Sequence, residues 1–293
     1  MSRSVSRRYV TTAWGQTHLT ESARPGPPGP PLVCLHATAY SGQTFLPLIE
    51  ALDGRRRVIA PDTAGYGGSD PPERRWDIEA YAREMRAAIR AAGEGPVDIL
   101  GYHTGALLAA EIALQDPDLV RRIVMIGVPY YLGEARAERR ATLAQPMALT
   151  NRLGQFAERW AFLVGERPSG MSLSRGFANF VDELRAYPHG WWAHDAAFSY
   201  AVDRAFPLVR QPVLILNPAN HLSAPSRAAG AALPQAQVRE LPHLSHAIFE
   251  LAAEELADHV EAFLNAASLD RSRDHPASGP GFETGPVRGV AQL

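Results

Sequence analysis

The chain has 293 residues, 46% hydrophobic and 20% charged, which fits one ordinary globular domain or one domain with an insertion. No apolar run approaches the roughly 18 residues of a membrane-spanning helix, and a formal charge of −2 argues against a protein that binds nucleic acid through phosphate contacts. One cysteine excludes an internal disulfide or a multi-cysteine metal site, and the absence of lysine excludes Schiff-base chemistry.

Short apolar runs bounded by Pro, Gly or Asp predict five buried strands. Two segments with apolar residues at helical spacing lie between them. Strands that alternate with helices indicate an α/β fold with a mostly parallel sheet and helices on both of its faces. The predicted strands cover Leu32–Leu35, Arg57–Ala60, Val97–Leu100, Ile123–Ile126 and Val213–Leu216, and the helices cover Ile78–Ala92 and Ala106–Gln115.

The alternation stops over residues 130–207, which read as helices without strands and carry several aromatic residues. A helical block inserted over the carboxyl ends of the strands would form a cap, and its aromatics would line a pocket, pack in a small core of their own, or do both. We therefore predict a core of residues 1–129 and 208–268, a helical cap over 130–207 and a disordered tail over 269–293. Pro25–Pro31 is expected to be a stiff surface loop.

The strongest local signal is the turn after the third predicted strand. Val97–Leu100 runs into Gly101-Tyr102-His103-Thr104-Gly105 and then directly into the helix Ala106–Gln115. A strand, a sharp Gly-x-x-x-Gly turn and a helix form the pattern called a nucleophile elbow, in which a strained backbone lifts the central side chain above the sheet. The central residue here is His103.

Three other motifs follow predicted strands or lie near the end of the chain. They are His36-Ala37-Thr38, the Gly-rich loop Pro61–Asp70, and Leu241–Glu250, which carries a histidine before an apolar helix start. Together with the elbow they resemble the α/β-hydrolase superfamily, in the branch with a helical cap, over roughly residues 9 to 265. The resemblance implies an oxyanion hole formed by the amides of Thr38 and Thr104. It also implies a structural role for Asp62 in the Gly-rich loop.

The sequence departs from that superfamily at the reactive positions. Its members place Ser, Asp or Cys at the elbow, where this chain has His103. The acid that usually follows the last buried strand is also missing, because Pro218-Ala219-Asn220-His221 stands in its place. Only the histidine, His246, matches by type.

We therefore predict a small-molecule enzyme that uses His103 and His246. Asn220 or His221 would orient His246, and the substrate pocket would include His36, Trp191 and Trp192. Imidazole suits general-base work near neutral pH. We favour hydrolysis of an apolar, carbonyl-containing substrate, with no cofactor and no metal.

Two alternatives stay open: a cofactor-free lyase, isomerase or cyclase that uses the same histidines, and a non-catalytic ligand-binding protein. A zinc site is disfavoured, because the histidines lack the short helical spacing of such sites. The amino terminus has arginines but no apolar segment, so we expect a cytoplasmic monomer or homodimer that binds neither membrane nor nucleic acid. Cys34 should be a small core residue. Asp195 and Asp203 are the acidic residues of the insert most able to replace the missing acid, but they should face solvent, and Glu250 should cap or solvate its helix.

Overall fold

One mixed sheet organises the chain in the computed structural model, which describes residues 5–24 and 26–266. The strands of these residues are β1 (Val5–Thr12), β2 (Gly15–Ser22), β3 (Leu32–Leu35), β4 (Val58–Pro61), β5 (Val97–Tyr102), β6 (Val120–Ile126), β7 (Val213–Pro218) and β8 (Ala236–Leu241). Their order across the sheet is β1-β2-β4-β3-β5-β6-β7-β8. β1 pairs antiparallel with β2 and β2 antiparallel with β4, and every later pair is parallel.

Helices connect these strands and cover the sheet. In chain order they are α1 (Leu46–Ala51), α2 (Ile78–Ala91), α3 (Thr104–Gln115), α4 (Gly133–Leu143), α5 (Gln155–Trp160), α6 (Leu173–Arg185), α7 (Trp192–Ser199), α8 (Val202–Ala205), α9 (Ser223–Ala232), α10 (Ile248–Leu251) and α11 (Ala253–Leu264). The predicted fold class is therefore confirmed. The five predicted strands correspond to β3 to β7, whereas β1, β2 and β8 were missed.

The alternation of side chains along the central strands divides the core into two layers. Val33 and Leu35 of β3 point to the layer that contains α2 and α3, and Leu32 and Cys34 point to the layer that contains α1 and α11. Both faces of the strand are fully buried, which is why its sequence is continuously apolar. Cys34 is a buried core residue, as predicted, and burial raises the pKa of its thiol well above the usual range.

Between β6 and β7 the described chain contains helices α4 to α8 and no strand. We call residues 127–212 the helical insert. Helix α7 of the insert packs against α3. Tyr66, in the loop after β4, also binds the insert: its hydroxyl donates to the carbonyl of Gly190 and accepts from the N–H of Ala193, each at 3.0 Å. The cap boundaries predicted from the sequence stay a prediction.

Two acidic residues expected to face solvent or to cap a helix are instead held by arginines. The side chain of Asp195 is 17% exposed and binds Arg75 and Arg140, and that of Glu250 is 16% exposed and lies 2.8 Å from Arg175 Nε. A carboxylate with a guanidinium partner can leave bulk water at a small cost, which a count of charged residues in the sequence does not reveal. Asp203 is about half exposed, as expected.

The chain ends lie partly beyond what the structure describes. The tail predicted over residues 269–293 lies outside the described residues. In the predicted surface loop, residues 26–31 form no helix or strand, and residues 27–29 are exposed. Within residues 5–24 and 26–266, no helix has the length and apolarity to cross a membrane.

Candidate active site

The turn from β5 to α3 holds His103 in a backbone conformation that few non-glycine residues adopt. Its φ and ψ are 51° and −114°, and its N–H donates to the carbonyl of Ile126 at 3.0 Å. The flanking glycines are required by space. A Cβ on Gly105 would lie 2.0 Å from the carbonyl oxygen of Leu35, and one on Gly101 would lie 2.4 Å from that of Gly105. The turn therefore projects the His103 side chain at the carboxyl edge of the sheet.

The imidazole of His103 lies against the end of β6. A Cβ on Gly127 would lie 2.6 Å from its Cδ2 and 2.8 Å from its Nε2. The ring centroid is 4.1 Å from that of Tyr102 and 6.1 Å from that of His221, which meets it edge to face. The Nε2 atom is buried and has no hydrogen-bond partner among the described residues. This nitrogen therefore has an unused hydrogen-bonding site that is closed off from solvent.

Burial, together with the neighbouring imidazoles of His221, His194 and His246, lowers the pKa of His103 to about 3. The side chain is accordingly uncharged at neutral pH. It can accept or donate a proton at Nε2, depending on its tautomer, but it is a weaker base than a solvent-exposed histidine.

His246 does not contact His103 directly. Its ring stacks on His221 at 5.8 Å and 14°, and His221 also meets the ring of His103, so His221 neighbours both histidines predicted to be catalytic. The Nδ1 of His246 is 3.0 Å from the hydroxyl of Ser245. A serine therefore occupies the hydrogen-bonding position that a carboxylate orienter would take.

Asn220 stabilises the same loop without touching an imidazole. Its Oδ1 accepts from the N–H of Leu222 at 2.9 Å, and its Nδ2 donates to the carbonyl of Ser245 at 3.4 Å. The structure thus brings Asn220 to the backbone next to His246, and brings His221 to the ring of His246.

The two residues predicted to form the oxyanion hole lie side by side. The Thr38 hydroxyl donates to the Thr104 hydroxyl at 3.0 Å. Among the described residues, neither main-chain N–H donates to a protein acceptor, so both are available to a developing oxyanion.

His36 is fixed inside this turn by the main chain. Its Nδ1 donates to the carbonyl of Ala37 at 2.9 Å, and its Nε2 accepts from the N–H of Thr63 at the same distance. Neither ring nitrogen is left for a ligand.

Asp62 binds the adjacent Gly-rich loop. It accepts from the amides of Gly42 and Gly68 and from Nδ1 of His18. Burial alone would raise its pKa, but these hydrogen bonds lower it overall. These contacts match the structural role implied for Asp62.

A cavity of about 280 Å³ lies between this turn and the insert. We call it the insert cavity. Its wall at the turn is Ala39, the residue after Thr38. Trp191 is in its lining. Trp192 is not, and its ring centroid lies 4.0 Å from that of His189. The lining includes Ala39, Leu143, Met147, Arg159, Glu183, Tyr187, Trp191 and His194.

His194, in the lining of the insert cavity, is one of the side chains that affect the charge state of His103. His103 is not itself in the cavity lining, but its pKa responds to His194, which is. Burial, and then Arg159, lower the pKa of His194 to about 4, so this ring is also uncharged at neutral pH. Arg159 donates two hydrogen bonds to Glu183, at 2.8 and 2.5 Å. Glu158 also lines the cavity, so these three side chains have a formal charge of −1.

Sequence reasoning missed Gly127, Ser245 and His194. Ser245 could have been suspected because it precedes His246, but the other two approach His103 only through the fold. No group of three or more His, Cys, Asp or Glu side chains is placed to hold a metal ion within the described residues.

Comparisons with known proteins agree with this architecture. A family model described as alpha/beta hydrolase fold matches residues 30–253. The chain is 33% identical over 118 residues to a 2-(acetamidomethylene)succinate hydrolase from Mesorhizobium japonicum. The aligned region covers 40% of this chain and 42% of that protein. It is 27% identical over 234 residues to a pyrrolizixenacetamide deacetylase from Xenorhabdus hominickii, which covers 74% of this chain and 85% of that protein.

Solved structures show the same fold. The crystal structure of E-2-(acetamidomethylene)succinate hydrolase superposes with a TM-score of 0.72 at 23% identity, covering 89% of this chain and all of that one. An esterase from Exiguobacterium antarcticum gives 0.73 at 15% identity, covering 88% and 99%. The match of the family model to most of the sequence confirms the family, though not the branch: the chain belongs to the alpha/beta hydrolase fold family.

Proposed function

We propose that the protein is a hydrolase that cleaves an ester or amide of a small, largely apolar substrate, with His103 in place of the usual elbow nucleophile. One observation carries the proposal: at the elbow, the imidazole has a buried Nε2 with no protein partner, next to two unpaired main-chain N–H groups. Relatives named as a hydrolase and a deacetylase support cleavage at a carbonyl group.

In the proposed reaction the substrate extends from the insert cavity, past Ala39, so that its carbonyl reaches the amides of Thr38 and Thr104 next to His103. His103 takes a proton from water as the water oxygen bonds to the carbonyl carbon, and the amides of Thr38 and Thr104 bind the oxyanion. The imidazolium then returns its proton to the leaving oxygen or nitrogen as the bond to carbon breaks. No acyl-enzyme forms on this route.

The low pKa of His103 makes the free imidazole a weak base. An oxyanion that develops close to the ring would stabilise the imidazolium, so the proton affinity of His103 should increase only as the reaction proceeds. We expect a slow or specialised reaction, because no carboxylate supports this histidine.

His246 would exchange protons with solvent, and His221, which neighbours both His246 and His103, would bridge the two rings. The centroid distances of 6.1 and 5.8 Å leave room for a water molecule in the route. Ser245 and Asn220 would position His246 and its loop.

A second candidate is a cofactor-free lyase or isomerase. It is favoured by the lack, within the described residues, of a carboxylate hydrogen-bonded to the ring of His103, His221 or His246. Proton abstraction beside a carbonyl needs bases and an oxyanion hole but no elbow nucleophile.

A panel of aryl esters and aryl acetamides tests the proposal. His103→Ala should lower kcat/KM by about a hundredfold or more, the range for loss of a general base. His259→Ala, on α11, is the matched control and should leave turnover unchanged. Turnover that survives His103→Ala would overturn the proposal.

Three further readouts separate the alternatives. The kcat/KM of the wild-type protein should not fall as the pH drops through 6.5, because His103 stays neutral until the pH nears its pKa of about 3. A covalent adduct between substrate and any residue of the protein, trapped in a quenched single turnover, would contradict the water route. No turnover on any panel member, together with thermal stabilisation by the same compounds, would instead indicate a binding protein.

A further inference from the structure

A second cavity, of about 590 Å³, adjoins the insert cavity and is lined by three arginines and one aspartate. The two cavities share Gln145 and Trp191 in their walls. We call the second cavity the arginine pocket and define it by Arg75, Arg136, Arg140, Gln145, Trp191 and Asp195.

The arginine pocket has an excess of positive charge. Asp195 accepts one hydrogen bond from Arg75, at 3.2 Å, and one from Arg140, at 2.8 Å. The Asp195 side chain is 17% exposed, whereas the two arginine side chains are 54% and 50% exposed. The lining contains three guanidinium groups and one carboxylate, which gives it a formal charge of +2, and Asp203, outside the lining, lies 3.8 Å from Arg136.

Most of the hydrogen-bonding capacity of these arginines is unused. A guanidinium group has five N–H donors, and Arg75 and Arg140 each donate one hydrogen bond to an acceptor among the described residues. Arg136 donates to the carbonyl of Tyr200 at 3.1 Å and lies 3.8 Å from Asp203. The remaining donors suit the oxygens of a phosphate or carboxylate group.

We propose that the arginine pocket binds an anionic group of the substrate, a phosphate or a carboxylate, while the carbonyl part of the same molecule occupies the insert cavity. This inference rests on the proposed function. Trp191, which lines both cavities, connects them, because its ring centroid lies 5.2 Å from the Arg75 guanidinium. An anion that binds Arg75 would also position the aromatic wall of the insert cavity.

The size of the pocket favours a small molecule over a polymer. Three arginines around one cavity can neutralise a compact dianion, and the chain as a whole has a formal charge of −2, which does not favour nucleic acid. The substrate class is therefore an apolar ester or amide with a terminal phosphate or carboxylate.

Calorimetry on the full chain with inorganic phosphate, pyrophosphate and succinate tests anion binding without a reaction. Arg140→Gln should weaken binding by at least about tenfold, the effect of losing a charged hydrogen bond. Asp195→Asn should strengthen binding, because it removes the competing carboxylate, and a misfolded variant could not gain affinity. Arg185→Gln, exposed on α6 and in neither cavity lining, should have no effect.

The three anions distinguish the source of the charge: preference for the phosphates indicates a phosphorylated substrate, and preference for succinate indicates a carboxylate. Failure of all three to bind at millimolar concentration, or weaker binding in Asp195→Asn, would overturn the inference.

A kinetic comparison separates this inference from the proposed function. Two aryl esters of equal acyl length, one ending in a methyl group and one in the preferred anion, are compared in each variant. The wild-type protein should prefer the charged ester, and Arg140→Gln should reduce the ratio of the two kcat/KM values towards one. Anion binding without turnover of either ester would contradict only the proposed function. Turnover of both without preference, and without anion binding, would contradict only this inference.

Discussion

At position 103, an imidazole fits next to the sheet because the residue across from it has no side chain. Gly127 has a φ of 63°, and a Cβ there would lie within 2.8 Å of two ring atoms of His103. Histidine is much larger than the serine or cysteine usual at an elbow, so the glycine at the end of β6 and the histidine at the end of β5 are coupled by volume.

Gly127→Ala tests this coupling. Gly133 is a matched control, since it also has a positive φ, of 52°, but an added Cβ would meet nothing within 4 Å. Gly133→Ala should cost about 1 kcal/mol of unfolding free energy from backbone strain, and Gly127→Ala should cost about 1–3 kcal/mol more from the clash. Urea denaturation measures both variants.

His103→Ala in the Gly127→Ala background should recover the part due to the clash. Equal costs for the two glycine variants would show that His103 moves away freely, and the proposed tight seat of the imidazole would then be wrong.

The sequence predicted His103 because its signal is local: a strand, two glycines and a helix within one short segment. The partners of His103 have no such signal. Gly127 and His221 follow other strands, and His194 lies in the insert, so their approach depends on how the parallel strands and the insert pack. The order of motifs along the chain could therefore place the site but not its contacts.

Among the elements, α6 is unusual because polar residues form much of its buried side. Asn179 and Asp182 are buried, whereas Leu173 and Phe177 are 59% and 49% exposed. The Ser41 hydroxyl donates to Asp182 at 2.6 Å, and burial raises the pKa of that carboxyl. Two polar contacts therefore attach α6 of the insert to the core: the Ser41–Asp182 hydrogen bond and the pair of Arg175 with Glu250 of α10.

The Arg175–Glu250 pair should have a larger coupling free energy than a surface pair, because solvent screens its two charges less. Its side chains are 13% and 16% exposed, whereas those of the Arg227–Glu240 pair, also at 2.8 Å, are 57% and 44% exposed. A double-mutant cycle with Arg175→Gln and Glu250→Gln should give a coupling of about 1–3 kcal/mol. The same cycle on the exposed pair should give less than about 1 kcal/mol.

Chemical denaturation of the four single and two double variants provides both couplings. If the two couplings were equal, the docking of α6 would have to rest on its other contacts, and the Arg175–Glu250 pair would not be an anchor.

Elements whose burial is complete were easier to predict than those at the edges of the sheet. Strands β3 and β7 are buried at every position and read as apolar runs. Strand β8 is mostly exposed, and in β1 only Val10 is buried, so neither has the apolar run that the prediction required. Edge strands are specified by pairing with a neighbour, which a single short segment does not show.

At the scale of the whole molecule, buried histidines and a buried glutamate should change stability in opposite directions as the pH varies below neutrality. Burial lowers the pKa values of four imidazoles, those of His36, His103, His194 and His221. The unfolded chain therefore takes up protons at these positions before the folded chain does, so the folded state should lose stability as the pH falls below about 6.5.

Glu84 of α2 should have the opposite effect at higher pH. It is 2% exposed, its Oε1 accepts from the Thr17 hydroxyl, its Oε2 has no partner among the described residues, and burial raises its pKa from 4.5 to about 7. The folded state binds this proton more tightly than the unfolded chain, so stability should fall as the pH rises from 4.5 to about 7 and stay reduced above it.

Glu84→Gln removes that loss, because an amide has no proton to release. The difference between 4.5 and about 7 corresponds to about 3 kcal/mol, so the variant should be more stable than the wild-type protein by up to that amount at pH 8 and nearly equal to it at pH 4.5. Thermal denaturation across this range measures the effect. Glu240→Gln is the control with the opposite sign, since the hydrogen bond from Arg227 lowers the pKa of Glu240 and its loss should reduce stability at pH 8. A Glu84→Gln variant that gains nothing at pH 8 would mean that the buried carboxylate is already compensated when ionised, and Glu84 would then cause no loss of stability between pH 4.5 and about 7.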